Sequence, residues 1–297
     1  MEQALTLREM MSGPADTLFN TTGNHNAVKV ISVTSGKGGV GKTNVVVNLA
    51  AALTQLGRKV LVLDADMGLG NIDVMLGLAS EYNLYHLING EKKLNEVITT
   101  GPGGMKILPA GSGIQELSEL TPNQKLNLLA ELDKLDSSID FVLIDTAAGI
   151  SGNVMYFNTA AQDIIVVASP EPTSITDAYA LMKILHTKYG ESRFRLLVNM
   201  VRDMGEGREV YRKLSTAADR FLNISIDYIG YIMHDKSVGL SVRNQRSVVD
   251  LYPNSDAGRS YSSLARTISG WPVNQNIKGN IQFLWRRLIG QSGWDKI

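Results

Sequence analysis

Residues 36–43 read Gly-Lys-Gly-Gly-Val-Gly-Lys-Thr and complete the pattern G-x-x-x-x-G-K-[ST]. Glycines at 36, 38, 39 and 41 let successive backbone N–H groups turn inward without Cβ clashes, and a helix N-terminus beside them adds partial positive charge. Such a loop cradles phosphate. Lys42 can reach β and γ phosphates, and the Thr43 hydroxyl can ligate a Mg²⁺ ion that bridges them. The context suits this chemistry. Val30, Ile31 and Val33 predict a buried strand before the loop, and Thr43 to Leu56 a helix after it.

Three carboxylates end apolar runs. Val60-Leu61-Val62-Leu63 leads into Asp64-Ala65-Asp66, and Phe141-Val142-Leu143-Ile144 leads into Asp145. In a parallel sheet the carboxyl ends of strands line the ligand crevice, so all three would face the phosphate loop. Of Asp64 and Asp66, one can orient Mg²⁺-bound water and the other the attacking water. Asp145 suits a Walker B role, holding Mg²⁺ through water, and Gly149 lets the next loop approach a γ phosphate. Acidic residues also end strands as plain turn formers, but their succession after the loop's helix favours the chemical role. Asn199, at the end of Arg195–Met200, can pair with an adenine edge or hold a turn. His234-Asp235-Lys236 reads as a loop placed to lie over the base; His234 has no second His or Cys at metal spacing.

Further elements must position these groups. Strands are expected over Met105–Gly111, Ile164–Ala168, Arg195–Met200 and, at an edge, Ile224–Ile232. Helices are expected over Val74–Leu78, across 83–98 with a break at Asn89-Gly90, and over Asn123–Leu135, Arg208–Phe221 and Ser260–Ile268. Ser174 with Asp177 reads as a capping box opening a helix through Leu185. Residues 1–10 form a short amphipathic pattern, with Ala4, Leu7 and Met11 at helical spacing, and Ser12–Ala27 is a linker by composition. Trp271-Pro272 marks a boundary. Beyond it Ile281, Leu284, Trp285, Leu288 and Ile289 make one apolar stripe, with Phe283 beside it and Arg286-Arg287 flanking. That is the pattern of an interfacial membrane helix, or of one that docks on its own core.

Composition bounds the reading. The 297 residues suit one large α/β domain with appendages, or two small domains. Lys+Arg and Asp+Glu both count 29, so no global positive excess suggests a nucleic-acid coat. There is no cysteine, which excludes disulfides and thiolate chemistry and fits a reducing compartment. No run approaches the roughly 18 apolar residues of a membrane span, so a cytoplasmic chain is expected.

The arrangement from Lys37 to Thr43 resembles the deviant Walker A loop of the MinD/ParA ATPases, and the likeness extends from Val28 to Pro272. It rests on Ser35–Thr43, Asp64–Asp73, Asp145–Gly149 and Glu171–Leu181. The last of these, with Phe194–Met200, is most similar to the flagellar-number regulators of that family, FlhG or FleN. Glu2-Gln3-Ala4-Leu5-Thr6-Leu7-Arg8 resembles the element with which those regulators stimulate the SRP-like GTPase FlhF.

The resemblance implies a P-loop NTPase fold, a mostly parallel sheet with helices on both faces. It implies three parts: 1–27 as an FlhF-activating helix and linker, 28–272 as the ATPase domain, and 273–297 as a membrane-targeting helix. It implies ATP and ADP binding by Gly36, Lys37, Gly38, Gly39, Val40, Gly41, Lys42, Thr43, Asn44, Asn199 and Asp235. Mg²⁺ would be held by Thr43 and the shells of Asp64 and Asp145, and hydrolysis promoted by Lys37, Lys42 and Asp66, with Lys37 reaching a partner's nucleotide. Ile281, Phe283, Leu284, Trp285, Leu288 and Ile289 would bind the membrane, and Gln3, Leu7 and Arg8 the GTPase. An ATP-dependent homodimer on the inner face of the cytoplasmic membrane at the cell pole is implied, with a flagellar transcriptional activator and C-ring proteins as further candidate partners and no direct nucleic-acid binding. Alternatives within the family are a division-site regulator like MinD and a DNA-partition ATPase like ParA.

Overall fold

The computed structural model describes residues 28–66, 72–109 and 139–272. The expected helices at 1–10 and 123–135, the linker, the Met67–Asn71 loop and the tail helix lie outside them.

In chain order the elements are β1 Lys29–Ser35, α1 Lys42–Gln55, β2 Val60–Ala65, α2 Ile72–Leu76, α3 Leu84–Ile88, α4 Leu94–Val97, β3 Thr99–Thr100 and β4 Lys106–Pro109. Then come β5 Phe141–Ala148, α5 Gly152–Ala160, β6 Asp163–Ala168, α6 Pro172–Tyr189, β7 Arg193–Val201 and α7 Met204–Phe221. The described chain closes with β8 Ser225–Met233, α8 Lys236–Arg243, α9 Val248–Leu251 and α10 Asp256–Ser269. The strands form one sheet in the order β3-β4-β2-β5-β1-β6-β7-β8, parallel throughout except for the short antiparallel β3.

β1 is central because both faces of its residues are covered. Ile31 and Val33 pack with Val46, Leu49 and Leu53 of α1 and with Tyr261 and Leu264 of α10. On the other face Val30, Leu61 and Val142 pack with Tyr156 and Phe157 of α5, and farther along Leu196 and Val198 pack under α6 and α7. A strand buried on both faces needs continuous apolar residues, which is what the β-branched run supplies. α7 and α10, by contrast, each bury one stripe and expose the rest.

Several boundaries differ from expectation. α2 starts earlier, at Ile72, and α10 at Asp256, where the Ser255 side chain accepts from Gly258 N. α7 starts at Met204, capped by Asp203, whose Oδ1 accepts from Glu206 N. The Ser174–Asp177 capping box does not form: Pro172 begins α6, and Ser174 Oγ accepts from Ser169 N at 2.9 Å, closing the turn after β6. A proline at the first helical turn is preset for that geometry, so the helix starts there.

Candidate nucleotide site

At the carboxyl end of β1 the chain turns through Gly36–Gly41 into α1, with Gly39 at φ 81° and Gly41 at φ 82°. Left-handed backbone at these two positions is what points the loop's N–H groups inward, and only glycine adopts it without strain. Gly41 has a second reason: a Cβ there would lie 2.5 Å from Asn199 Nδ2. Asn199 is buried and donates Nδ2 to Val40 O at 2.8 Å, so it braces the loop from the end of β7. Of the two readings of this amide, the structural one is what the Val40 contact shows.

Lys42 is 8 % exposed and its Nζ lies 3.5 Å from Asp145 Oδ1. Asp145 is 1 % exposed, and its Oδ1 has no hydrogen-bond partner; Asn44 Oδ1, in the first turn of α1, is likewise buried and unpartnered. Register pairs Asp64 on β2 directly with Asp145 on β5. Burial, with the neighbouring Asp145 charge adding to it, pushes Asp64 up to about 7, against hydrogen bonds from Asp66 N and Ile72 N. Burial also pushes Asp145 up, and Lys42 offsets this only in part. Two adjacent buried carboxylates, with Lys42 beside Asp145, are an arrangement that a divalent ion relieves.

The donor set therefore fits Mg²⁺ held by Thr43, Asp64 and Asp145, all oxygen ligands. Among the described residues no cluster of three His, Cys, Asp or Glu stands ready to hold a metal. A Mg²⁺ ion here would thus take part of its shell from phosphate oxygens and water, as this ion does in phosphoryl-transfer sites. Asp66 follows β2 at the same edge, engaged within the chain.

Lys37 leaves the loop outward. Its Nζ donates to Glu171 Oε2 at 2.7 Å and to Thr173 Oγ1 at 2.9 Å, at the start of α6. Residue patterns did not single out Glu171 and Thr173 as its partners, although β6 lies beside β1 and delivers that turn next to the loop. The Asp235 carboxylate is engaged within the chain. It caps α8, its Oδ1 accepting from Ser237 N and its Oδ2 from Ala257 N. Burial pushes this carboxyl up, but those hydrogen bonds outweigh it and hold it down at about 2. Gln3, Leu7, Arg8 and the six tail residues Ile281 to Ile289 lie outside the described residues.

Strand, glycine loop, lysine, helix, and a second strand carrying an aspartate beside the loop define a P-loop nucleoside triphosphatase. A family profile described as "AAA domain" matches residues 28–196. The chain is 45% identical over 267 residues to the antiactivator FleN of Pseudomonas aeruginosa, covering 90% of this chain and 95% of that one. It is 36% identical to the flagellum site-determining protein YlxH of Helicobacter pylori, covering 83% of each. Among solved structures, the septum site-determining protein MinD from Pyrococcus horikoshii, complexed with Mg-ADP, superposes with a TM-score of 0.63 at 25% identity, covering 82% of this chain and 96% of that one. The chain belongs to the MinD/ParA family of P-loop ATPases, close to its FlhG/FleN members.

Proposed function

We propose that this protein is an ATP-hydrolysing dimerisation switch that cycles on the inner face of the cytoplasmic membrane and regulates flagellar number and placement. The observation that carries the reading is the 45% identity to an antiactivator FleN across 90% of the chain, with the phosphate loop complete within it. The Helicobacter relative, a flagellum site-determining protein, supports the same setting.

In this reading Lys42 and the loop N–H groups hold the β and γ phosphates of ATP. Thr43, Asp64 and Asp145 would hold a Mg²⁺ ion, which when bound would supply charge neutralisation for those phosphates. Asp66 aligns a water for in-line attack on the γ phosphorus as the bond to the ADP oxygen breaks. Lys37 crosses to the γ phosphate of a second copy. Its present partners do not prevent this. The Lys37–Glu171 pair is exposed, at 36 % and 65 %, and such pairs contribute about 0–1 kcal/mol. A dianionic phosphate shielded from water by two protomers is a stronger partner. Loss of the γ phosphate removes that contact, and Lys37 returns to Glu171 and Thr173. Dimerisation would expose the 273–297 helix to the membrane, and residues 1–10 would stimulate an FlhF-type GTPase. Partner selection among flagellar regulators and C-ring proteins belongs to the same proposal.

Asp66→Ala should bind ATP, dimerise and stay on lipid vesicles because hydrolysis no longer releases it. Light scattering with ATP and vesicle sedimentation check this. A variant that remains monomeric in ATP contradicts the role given to Asp66.

A further inference from the structure

At the opposite end of the sheet from Lys42, below the first residues of β2, β4 and β5, lies a cavity of about 900 Å³. Arg58, Lys59, Lys93 and Lys106 line it, together with the apolar side chains of Leu94 and Ile139. No Asp or Glu is among the described residues that line it. Arg58 donates Nε to Ser269 Oγ at 2.9 Å and Lys106 donates Nζ to Thr100 Oγ1 at 2.8 Å, both neutral acceptors. Asp140 Oδ2 accepts from Lys59 N and Glu96 Oε2 from Lys93 N, both backbone groups, and no described carboxylate forms a salt bridge with the side chain of Arg58, Lys59, Lys93 or Lys106. Four cations against two carboxylates leave the concavity net positive, which suits it to an anion from outside.

The cavity adjoins the point where the chain leaves the domain. Ser269, which Arg58 contacts, ends α10, and Pro272 follows shortly, its carbonyl accepting from buried Lys29 Nζ at 2.6 Å. Trp271 lies between two cations, with Lys29 Nζ 5.5 Å and Arg195 Cζ 3.8 Å from its ring centre. Trp271-Pro272 is therefore fixed at the base of the sheet, against the first residue of β1.

We propose that this cavity binds the headgroup of an anionic phospholipid and seats the base of the domain on the bilayer. The chemistry is divided as a lipid requires: ammonium and guanidinium groups for the phosphodiester, and apolar walls for the glycerol and first methylenes. The volume is far larger than a lone phosphate needs. The setting rests on the membrane reading above, while the cavity itself is testable without it.

The full chain is titrated by calorimetry with dihexanoyl phosphatidylglycerol below its micelle concentration, with inorganic phosphate, and with a duplex oligonucleotide. It is also sedimented with vesicles of phosphatidylcholine alone or mixed with phosphatidylglycerol. The short-chain lipid should bind saturably to the wild type and to Trp285→Glu. Lys93→Gln with Lys106→Gln should weaken that binding roughly 30-fold, from two charges each contributing at a lipid surface. The same double variant should lose the preference for anionic vesicles while keeping its circular dichroism and ATP affinity. The proposal is overturned if the wild type does not bind the short-chain lipid, if the double variant binds it unchanged, or if phosphate or the oligonucleotide binds as tightly. Separately, Trp285→Glu that sediments with phosphatidylcholine vesicles as the wild type does rejects the membrane helix, and the soluble-lipid result then decides the cavity alone.

Discussion

Gly36 is where the loop comes closest to α6: a Cβ added there would lie 2.1 Å from Asp177 O, which is backbone and cannot rotate away. Gly36→Ala must push loop and helix apart. We expect a loss of about 1–3 kcal/mol in stability, the usual cost of overpacking, together with weakened ATP binding. Thermal unfolding and nucleotide titration measure the two effects, and a variant with wild-type values in both contradicts the close approach. Asp235 offers a different test. Its folded-state carboxyl sits at about 2, below the ordinary value of 3.8, so it stabilises the fold above pH 3.8 and loses that contribution as the pH falls toward 2. Asp235→Ala removes the cap of α8 and the acceptor for Ala257 N. It should cost about 1–2 kcal/mol near neutrality and less at about pH 3, by urea unfolding at both values. The loop lysines and the three aspartates were legible as residues because each stands at a motif position. The job of Asp235 was not, because a carboxylate before Lys-Ser reads equally as a site residue and as a helix cap. The partner of Lys37 was hidden for another reason: Glu171 is far away in sequence, and only the β6–β1 pairing brings it near.

Among elements, the strands were the most readable because burial on both faces demands apolar runs that little else produces. α5 was missed. Its residues Val154 to Ala160 are all buried, so it has no polar face and no helical period to read, only Ser151 as its cap. α8 and α9 are short and follow the edge strand, and β3 is two threonines with no pattern of their own. Trp271-Pro272 was recognisable as a boundary but not as an anchor. Lys29, Asp163, Arg195 and Asp227 form a chain of ion pairs beneath β1, β6, β7 and β8, and the indole covers its cations. Burial lowers the Lys29 pKa, and Asp163 opposes this, so the ring and the carboxylate together make a buried charge tolerable. Trp271→Ala should cost about 1–3 kcal/mol of stability, read as a lowered urea midpoint, while leaving ATP affinity unchanged, because the anchor and the phosphate loop occupy opposite ends of the sheet. Equal loss of nucleotide affinity would contradict that separation.

For the whole molecule, the sheet sorts function by end. Carboxyl ends of β1, β2, β5 and β7 carry the nucleotide machinery, and the amino ends carry the exit of the tail and the basic cavity. In the proposed cycle one end senses ATP through a second copy, while the other meets the membrane. No described helix is long and apolar enough to cross a bilayer. In that proposed cycle pairing joins the two ends, and Lys37 would be the residue on which pairing turns. Sedimentation velocity of the wild type and of Lys37→Ala, each with ATP and with ADP, measures this directly. A two-chain species is expected only for the wild type in ATP; a Lys37→Ala variant that pairs in ATP as the wild type does would contradict the switch.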